Sequence, residues 1–583
     1  MSLVEVMGRD LGEARAALKR PNVVRSRRTG RETMRLYVTG ALAALLMPAL
    51  GAQDLPKAEA PAAVAHPNCG GDDVAAKRPT LLEGYGKGGW AISTDVPRAQ
   101  AFFDNGMQLG AAFAHKAAIA AMQEAARLDP TCAMCAWGDA WASGPTLNYD
   151  KDEAETAKLL IRATQAQALA ARSGTPLERA LTDALVLRYQ LGPENSGAIA
   201  YAEAMAALAK AHPENAAIGA LAGDALLVAG TRSKDYKPMT YRSAALLQDV
   251  LARDPDYTPA IHFYIHATEI AEIPDRATSY ADRLRTLAPK ASHLVHMPSH
   301  TYYWIGRYQD AADSNVAAVK LGIENAKRLG MTGPDGVWDL PYHAHNVHFG
   351  VGGAMMSGDA ASALLLSDPL VDVAARRDKG SVFQQAIAGM GYAAEGRFAD
   401  PAKVLALPEP KLPYARAFWH YARGEALARQ GKAAAVRAEA DAMAASMTAL
   451  DDQAGRKLVK IATLVLGGRA AMLDNDPRKA AKFYAAAAKI EEAKPISGYS
   501  DPPVWWYPPR RSLAEAKLAM GDAKGALAEA NATLKRRPLD PMTLSIRARA
   551  QAALGNAGAA GQDARAALAG WRGKRAMFGT GMI

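Results

Sequence analysis

Small residues recur at helical spacings along most of this chain, and each set is closed by a proline or a glycine. In the segment FFDNGMQLGAAFAHKAAIAAMQEAARLDP, Gly106, Ala118 and Ala125 fall where two antiparallel helices would pack closely. Pro130 would then end the second helix. A single pair of this kind cannot bury its apolar face, so successive pairs must stack into one continuous core. The spacing therefore predicts an all-α protein made of stacked helical hairpins.

Further copies of the pattern follow, and they share the same glycine, alanine or tyrosine positions. They are marked by Tyr302, Gly306 and Tyr308, by Gly424 and Gly431, by Gly521 and Pro538, and by Gly555 and Ala567, with weaker copies near 178–213, 214–247, 258–289 and 456–490. Together they resemble the tetratricopeptide-repeat (TPR) family, whose repeat is about 34 residues long. The resemblance implies a TPR-like α-solenoid with a concave groove, lined mainly by the first helix of each repeat. Such grooves usually hold peptides or partner proteins, and a small-molecule ligand is a further expectation here.

The chain divides into segments of different character. We predict a basic extension or mis-assigned start at 1–33, a signal peptide at 34–52, a flexible tether at 53–95, the TPR-like solenoid at 96–570 and a tail at 571–583. The signal assignment rests on MRLYVTGALAALLMPALGAQ, which has one positive charge, an apolar run and a small-residue cleavage pattern. We therefore expect an exported, periplasmic protein, with an uncleaved membrane anchor as the alternative.

The composition is that of a globular protein, with 50% hydrophobic and 22% charged residues among 583. The formal net charge is +10, but residues 1–35 hold nine Lys/Arg and four Asp/Glu, a net of +5. The other basic residues are scattered and lack interleaved aromatic residues, so we expect no nucleic-acid surface. The sequence also contains no phosphate-binding glycine loop, so no nucleotide is expected.

Histidine is concentrated in the middle of the chain. Eight of the twelve histidines lie between residues 262 and 348, in the strings HFYIHATE, HLVHMPSHTYYWIGRY and YHAHNVHF. In the register of the TPR resemblance, the groove-lining positions of three successive first helices carry His262, His266 and Glu269, then His293, His296 and His300, then His345 and His348. Pro298 lies inside the middle string, and a helix beginning there would leave His293 and His296 in an extended lead-in.

Neutral imidazole is a good ligand for zinc, copper, iron or nickel, and pairs three or four residues apart on a helix can share one ion. The sequence therefore predicts a transition-metal site in the groove, with copper or zinc favoured and iron as an alternative. Whether such a site is catalytic stays open. The competing interpretation is that these histidines cap helices, bond tyrosine hydroxyls or bind an acidic peptide.

A second candidate set lies earlier, in DPTCAMCAWGDAW. Cys132, Cys135 and Asp139 take the same groove-lining positions, and a CxxC pair is a disulfide, a redox couple or half of a metal site. Covalent haem is not expected, because Ala136 stands where the haem motif needs histidine.

Aromatic and basic residues meet in SDPPVWWYPPRRSL. Trp505, Tyr507 and Arg511 would close the groove over a ligand, or would pack where two repeats meet.

The cysteine and histidine strings together resemble a group of large bacterial exported TPR-like proteins without an assigned activity. That resemblance implies the fold and supplies no reaction. The resulting hypothesis is an exported TPR-like protein whose histidine-lined groove binds a transition metal, as a metalloenzyme or otherwise. The alternative is a non-catalytic scaffold that holds a peptide or protein in the same groove.

Overall fold

The computed structural model describes residues 78–192, 195–331, 333, 335–447, 450, 452–498 and 502–574. Within these ranges the regular secondary structure is entirely helical, and consecutive helices form antiparallel pairs that pack against the next pair. The all-α, TPR-like prediction is therefore confirmed. In chain order the α-helices are α1 (Pro97–Ala111), α2 (His115–Leu128), α3 (Ala133–Ala142), α4 (Glu153–Ser173), α5 (Pro176–Tyr189), α6 (Ser196–Ala211), α7 (Ala216–Thr231), α8 (Lys237–Arg253), α9 (Thr258–Ile270), α10 (Thr278–Leu287), α11 (Ser292–His296), α12 (Pro298–Ile305), α13 (Tyr308–Arg328), α14 (His343–Ser357), α15 (Ala360–Arg376), α16 (Val382–Phe398), α17 (Pro401–Leu405), α18 (Pro413–Arg429), α19 (Ala433–Ser446), α20 (Gln453–Leu473), α21 (Pro477–Glu491), α22 (Arg510–Ala519), α23 (Ala523–Arg536), α24 (Pro541–Ala553) and α25 (Ala557–Gly570).

The recurring glycines are explained by close helix contacts. A Cβ atom on Gly106 of α1 would lie 2.7 Å from the Met122 methyl carbon on α2. A Cβ atom on Gly353 of α14 would lie 2.8 Å from the Tyr308 carbonyl oxygen. Larger side chains at these positions would push the two helices of a pair apart, so the spacing of small residues in the sequence reports the packing.

The segment before the first repeat is attached to the repeats. The basic extension, the predicted signal peptide and residues 53–77 of the predicted tether lie outside the described residues. Residues 79–95 have little regular structure, but the Lys87 amide donates to Thr258 Oγ1 (2.8 Å) and the Ser93 amide donates to Glu178 Oε1 (2.7 Å). This part of the predicted tether is thus held against the repeats, which satisfy some of its polar backbone groups.

The C-terminal repeats pack against the middle of the chain. Tyr308 Oη donates to the Pro538 carbonyl (2.9 Å), and Tyr303 Oη donates to the Trp506 carbonyl (3.0 Å). Trp571 is buried, and the next residue, Arg572, donates its amide to the Ser357 carbonyl (2.8 Å). Repeats that are distant in sequence are thus in direct contact around α12–α14. The first two residues of the predicted tail, Trp571 and Arg572, take part in this packing.

No helix among the described ranges is both long enough and apolar enough to cross a bilayer.

Candidate metal centre

The histidine strings fold into helices that face one another. His262, His266 and Glu269 lie on α9, His293 and His296 on α11, and His300 on α12. Pro298 ends the short helix α11 and begins α12, as its missing amide hydrogen requires. Met297 between them stays helical (φ −51°, ψ −36°), so His293 and His296 lie in a helical turn and not in the extended lead-in that Pro298 predicted.

Six of the predicted histidines form two groups of three. His262, His266 and His293 form one group, and His296, His300 and His345 form the other. In each group, one candidate ligand atom per residue lies within 4.8 Å of the others. Glu269 joins His266 and His300 in a third group with the same spacing, which connects the first two.

These histidines are buried, which corrects the expectation that they line an open groove. The exposed fraction is 0% for His262, His296 and His300, and only His345 among the six is partly exposed. Phe113, in the turn after α1, covers one side, with its ring centroid 4.5 Å from that of His262 and 4.9 Å from that of His293. The expected groove is filled at these histidines by the chain itself, because the first repeat packs onto α9.

Three of the rings are held through Nδ1. His262 Nδ1 lies 2.6 Å from the Ala111 carbonyl, His296 Nδ1 2.6 Å from Asn315 Oδ1, and His300 Nδ1 2.6 Å from Glu269 Oε2. These oxygens accept hydrogen bonds, so each Nδ1 carries the hydrogen and each Nε2 keeps its lone pair. Metal-binding histidines in proteins are oriented in this way.

The Nε2 lone pairs of His296 and His300 then point at each other, with the two atoms 2.9 Å apart. His262 Nε2 lies 3.1 Å from His293 Nε2, and His293 can donate in this contact because its Nδ1 has no partner among the described residues. Two nitrogens bound to one zinc ion at about 2.0–2.1 Å lie about 3.3 Å apart in tetrahedral geometry. With both Nδ1 atoms donating, two neutral rings at this distance repel each other unless a metal ion or a proton lies between the two Nε2 atoms.

Unpaired nitrogen atoms support the same interpretation. His266 Nε2 and His293 Nδ1 are buried and have no hydrogen-bond partner among the described residues. A buried polar atom without a partner costs about 1–3 kcal/mol. These two nitrogens are therefore available as ligand atoms for a metal ion.

Burial also keeps the imidazoles neutral. It lowers the pKa of His262 to about 3, despite the hydrogen bond to Ala111 that favours the charged form. The pKa values of His266, His293, His296 and His345 fall well below 6.5, first through burial and then through neighbouring imidazoles. Neutral imidazole is the form that binds metals.

The remaining histidine of the predicted set lies outside the three groups. His348, on α14, is 3% exposed, and its Nδ1 has no partner among the described residues. Burial lowers its pKa to about 3.

The early CxxC motif is separate from the histidine groups. The structure joins Cys132 and Cys135 as a disulfide at the start of α3, so the pair offers no thiolate to a metal in this state. Asp139 accepts from Arg162 Nη1 (3.3 Å) and joins none of the three groups.

The aromatic and basic residues near 505 do not line an open groove either. Trp505, Tyr507 and Arg511 are at most 2% exposed. Arg511 stacks on Tyr507 (4.2 Å to the ring centroid) and pairs with Asp540, so all three residues serve the packing of the late repeats.

No protein-family model matches this sequence, and no curated protein matches it. Among solved structures, the human IFIT1 dimer with m7Gppp-AAAA is 13% identical, covering 82% of this chain and 91% of its own, with a TM-score of 0.30. Yeast Tom70 is 11% identical (79% and 89% covered, TM-score 0.27), and the TPR domain of P58(IPK) is 13% identical (78% and 98% covered, TM-score 0.21). The likeness concerns the TPR-like helical fold alone.

Several residues of the centre escaped the sequence argument. Asn315 on α13 orients His296, and its own Nδ2 donates to the Ala311 carbonyl (2.7 Å). Trp304 Nε1 donates to Glu269 Oε1 (2.9 Å), which leaves Oε2 for His300. The sequence offered no signal for Asn315, which follows Asp313 and Ser314 in a mixed stretch, and the role of Phe113 depends on contacts distant in sequence.

Proposed function

We propose that this chain is an exported protein that binds transition-metal ions at two adjacent three-histidine sites. One site consists of His262, His266 and His293, and the other of His296, His300 and His345. The observation that carries the proposal is the 2.9 Å approach of His296 Nε2 to His300 Nε2 while both Nδ1 atoms are engaged elsewhere. Two neutral rings held in this way would repel each other, and a shared metal ion removes that repulsion.

The ligand chemistry favours copper or zinc, with iron as the alternative. Imidazole binds all three metals, and three histidines leave a coordination position open in a tetrahedral site. A metal with an open position can polarise a substrate or lower the pKa of a bound water. His262, His296 and His300 would be held for that purpose by Ala111, Asn315 and Glu269.

Export is part of the proposal because of two features of the chain. The apolar run in residues 34–52 has the composition of a signal peptide. The Cys132–Cys135 disulfide supports a destination in an oxidising compartment, where disulfides persist.

Elemental analysis of protein purified without an affinity tag and reconstituted with Cu²⁺, Zn²⁺ or Fe²⁺ tests the metal sites. We expect about two equivalents of the preferred metal. His262→Ala and His296→Ala should each remove about one equivalent, since each takes a ligand from a different group. Asn315→Ala and Glu269→Gln should weaken metal affinity about 10- to 100-fold in a chelator competition, because the ring loses its orientation.

His348→Ala is the matched control, since it removes a buried histidine outside both groups. It should leave the metal content unchanged. Less than about 0.1 equivalent of every metal in the reconstituted protein would overturn the proposal. That result would leave the non-catalytic scaffold, with a peptide or protein partner, as the function that the TPR-like fold supports.

A further inference from the structure

The two three-histidine groups differ in how fully they are enclosed. The first group consists of His262, His266 and His293, and the second of His296, His300 and His345. The residues of the first group are 0%, 4% and 5% exposed, whereas His345 of the second group is partly exposed. Water or a substrate from solution therefore reaches the second group more readily than the first.

Aromatic rings lie against the first group. The Phe113 ring contacts all three imidazoles, with centroid distances of 4.5 Å to His262, 6.1 Å to His266 and 4.9 Å to His293. The Tyr342 ring lies 4.4 Å from that of His293 and 5.7 Å from that of Phe113. We call Phe113 and Tyr342 the aromatic cover of the first group.

The aromatic cover supplies no metal ligand of its own. Phenylalanine has no atom that binds a metal, and the Tyr342 hydroxyl lies 3.3 Å from both His115 Nε2 and Asn148 Nδ2, which engage it outside the group. An ion in the first group therefore has three imidazole ligands and carbon atoms beside them.

The backbone is strained at both residues of the cover. Phe113 and Tyr342 have left-handed conformations, with φ of 55° and 68°. Such a conformation is unfavourable for a bulky residue and persists where the surrounding structure requires the side chain in one position. The fold thus holds two strained aromatic residues against the same histidine group.

This enclosure determines which ion fits the first group. Zinc with three protein ligands takes water or a substrate as its fourth ligand, and Cu(II) prefers a square-planar set of ligands. Cu(I) has a filled d shell and is stable with three ligands. A group that offers three nitrogen atoms and excludes water therefore suits Cu(I).

The charge of the surroundings favours a monovalent ion as well. Glu269 is the one carboxylate in the three groups, and its oxygens already contact His300 Nδ1 (2.6 Å) and Trp304 Nε1 (2.9 Å). Two divalent ions would bring four positive charges to a buried site with this single negative charge, and burial penalises each uncompensated charge. A monovalent ion in the first group reduces the excess.

We infer that the first group holds copper as Cu(I) in a closed site with three ligands, and that the aromatic cover excludes a fourth. The inference rests on the proposed function, since it requires that the histidine groups bind metal. It also divides the two groups by role. Copper in the first group is kept from water and substrate, whereas a substrate reaches the second group beside His345.

X-ray absorption spectroscopy of His296→Ala tests the first group alone, because this variant removes a ligand from the second group. The full chain is loaded with Cu(I) in the absence of oxygen, and loosely bound copper is removed with a chelator. We expect about one equivalent of Cu(I), bound by three nitrogen atoms and no oxygen atom. A fourth ligand on the copper would overturn the inference.

Phe113→Leu in the same variant opens the cover and keeps an apolar side chain. It should lower the ratio of Cu(I) affinity to Cu(II) affinity about 10-fold, because the apolar shell controls the access of water to the ion. Electrochemical titration measures this ratio as the midpoint potential of the bound copper.

Phe349→Leu in the same variant is the matched control. The Phe349 ring contacts the second group, with its centroid 4.4 Å from that of His300 and 5.2 Å from that of His345. This change should leave the midpoint potential unchanged. Equal shifts in both leucine variants, or no shift in a folded Phe113→Leu protein, would contradict the inference, and thermal melting shows whether each variant is folded.

The outcomes separate this inference from the proposed function. Failure of the wild type to bind any metal would overturn both. Copper bound by four ligands in His296→Ala would overturn the inference alone and leave the two metal sites in place.

Discussion

The groups that accept hydrogen bonds from Nδ1 of His262, His296 and His300 are themselves held in place. Two of their Nδ1 partners are themselves fixed, since Asn315 donates to the Ala311 carbonyl and Glu269 accepts from Trp304. The third partner is a backbone carbonyl, at Ala111, which cannot turn away. At the scale of the residue, therefore, the rings are oriented before any ligand arrives, which lowers the cost of binding.

His348 allows a pH prediction that does not depend on metal, because it belongs to neither ligand group. Burial lowers its pKa to about 3, while the unfolded chain takes up this proton near pH 6.5. The stability of the wild type relative to His348→Gln should be constant above about pH 6.5. Between about pH 6.5 and pH 5 the wild type should lose up to about 2 kcal/mol of unfolding free energy relative to His348→Gln.

Urea unfolding of both proteins at several pH values measures this difference. Comparing the two proteins cancels the other titrating groups, among them Glu395, whose pKa burial raises to about 7. A difference that does not change with pH would show that His348 is charged or accessible in the folded protein.

At the scale of the element, the glycines that end two helices differ in how closely the rest of the chain packs against them. Gly306 follows α12, and Gly431 lies in the turn after α18, both with left-handed backbone conformations (φ 86° and 74°). Their surroundings differ, however. A Cβ atom on Gly306 would lie 2.3 Å from the Pro538 carbonyl oxygen, whereas one on Gly431 would have no neighbour within 4 Å.

Gly306→Ala should therefore destabilise the protein more than Gly431→Ala. In both variants the left-handed backbone conformation of alanine lowers the unfolding free energy by about 1–2 kcal/mol. Gly306→Ala should lose about 1–3 kcal/mol more, because it overpacks against a backbone atom that cannot rotate away. Thermal unfolding midpoints measure the effect. Equal midpoints would mean that the contact between α12 and the turn after α23 yields easily.

At the scale of the whole molecule, the late repeats are joined to the middle ones through buried arginines. Arg511 and Asp540 form an ion pair in which both side chains are 0% exposed. Arg537 stacks on Trp304, whose indole donates to Glu269 beside the histidine groups. Arg397 stacks on Trp506, and burial lowers its pKa to about 9. The Arg397 charge therefore depends on the face of the Trp506 ring staying in place.

Asp540→Asn should cost about 3–5 kcal/mol, because it leaves the Arg511 charge buried without its partner. Asparagine keeps the capping role of Asp540 at the start of α24, so the loss reports the ion pair. Asp474→Asn makes the same change in an exposed pair with Arg437 and should cost less than about 1 kcal/mol. Unfolding midpoints compare the two variants, and similar costs would argue against a buried pair.

The sequence by itself determined the repeat architecture and the approximate face of the histidines. Both are local properties: small residues such as Gly106 mark where paired helices touch, and a spacing of three or four residues places His262 and His266 on one side of a helix. A helix start at Pro298 was also predictable, since proline lacks the amide hydrogen that a continuous helix needs, whereas the helical turn before it was not.

Only the tertiary structure decided that this face is enclosed. Phe113 and Ala111 reach His262 from the first repeat, and Trp505 is buried among the late repeats. The His262–Ala111 contact spans 151 residues, and the hydrogen bond from Tyr303 to the Trp506 carbonyl spans 203. They depend on small rotations between successive repeats that add up along the stack, and no local spacing in the sequence encodes that sum.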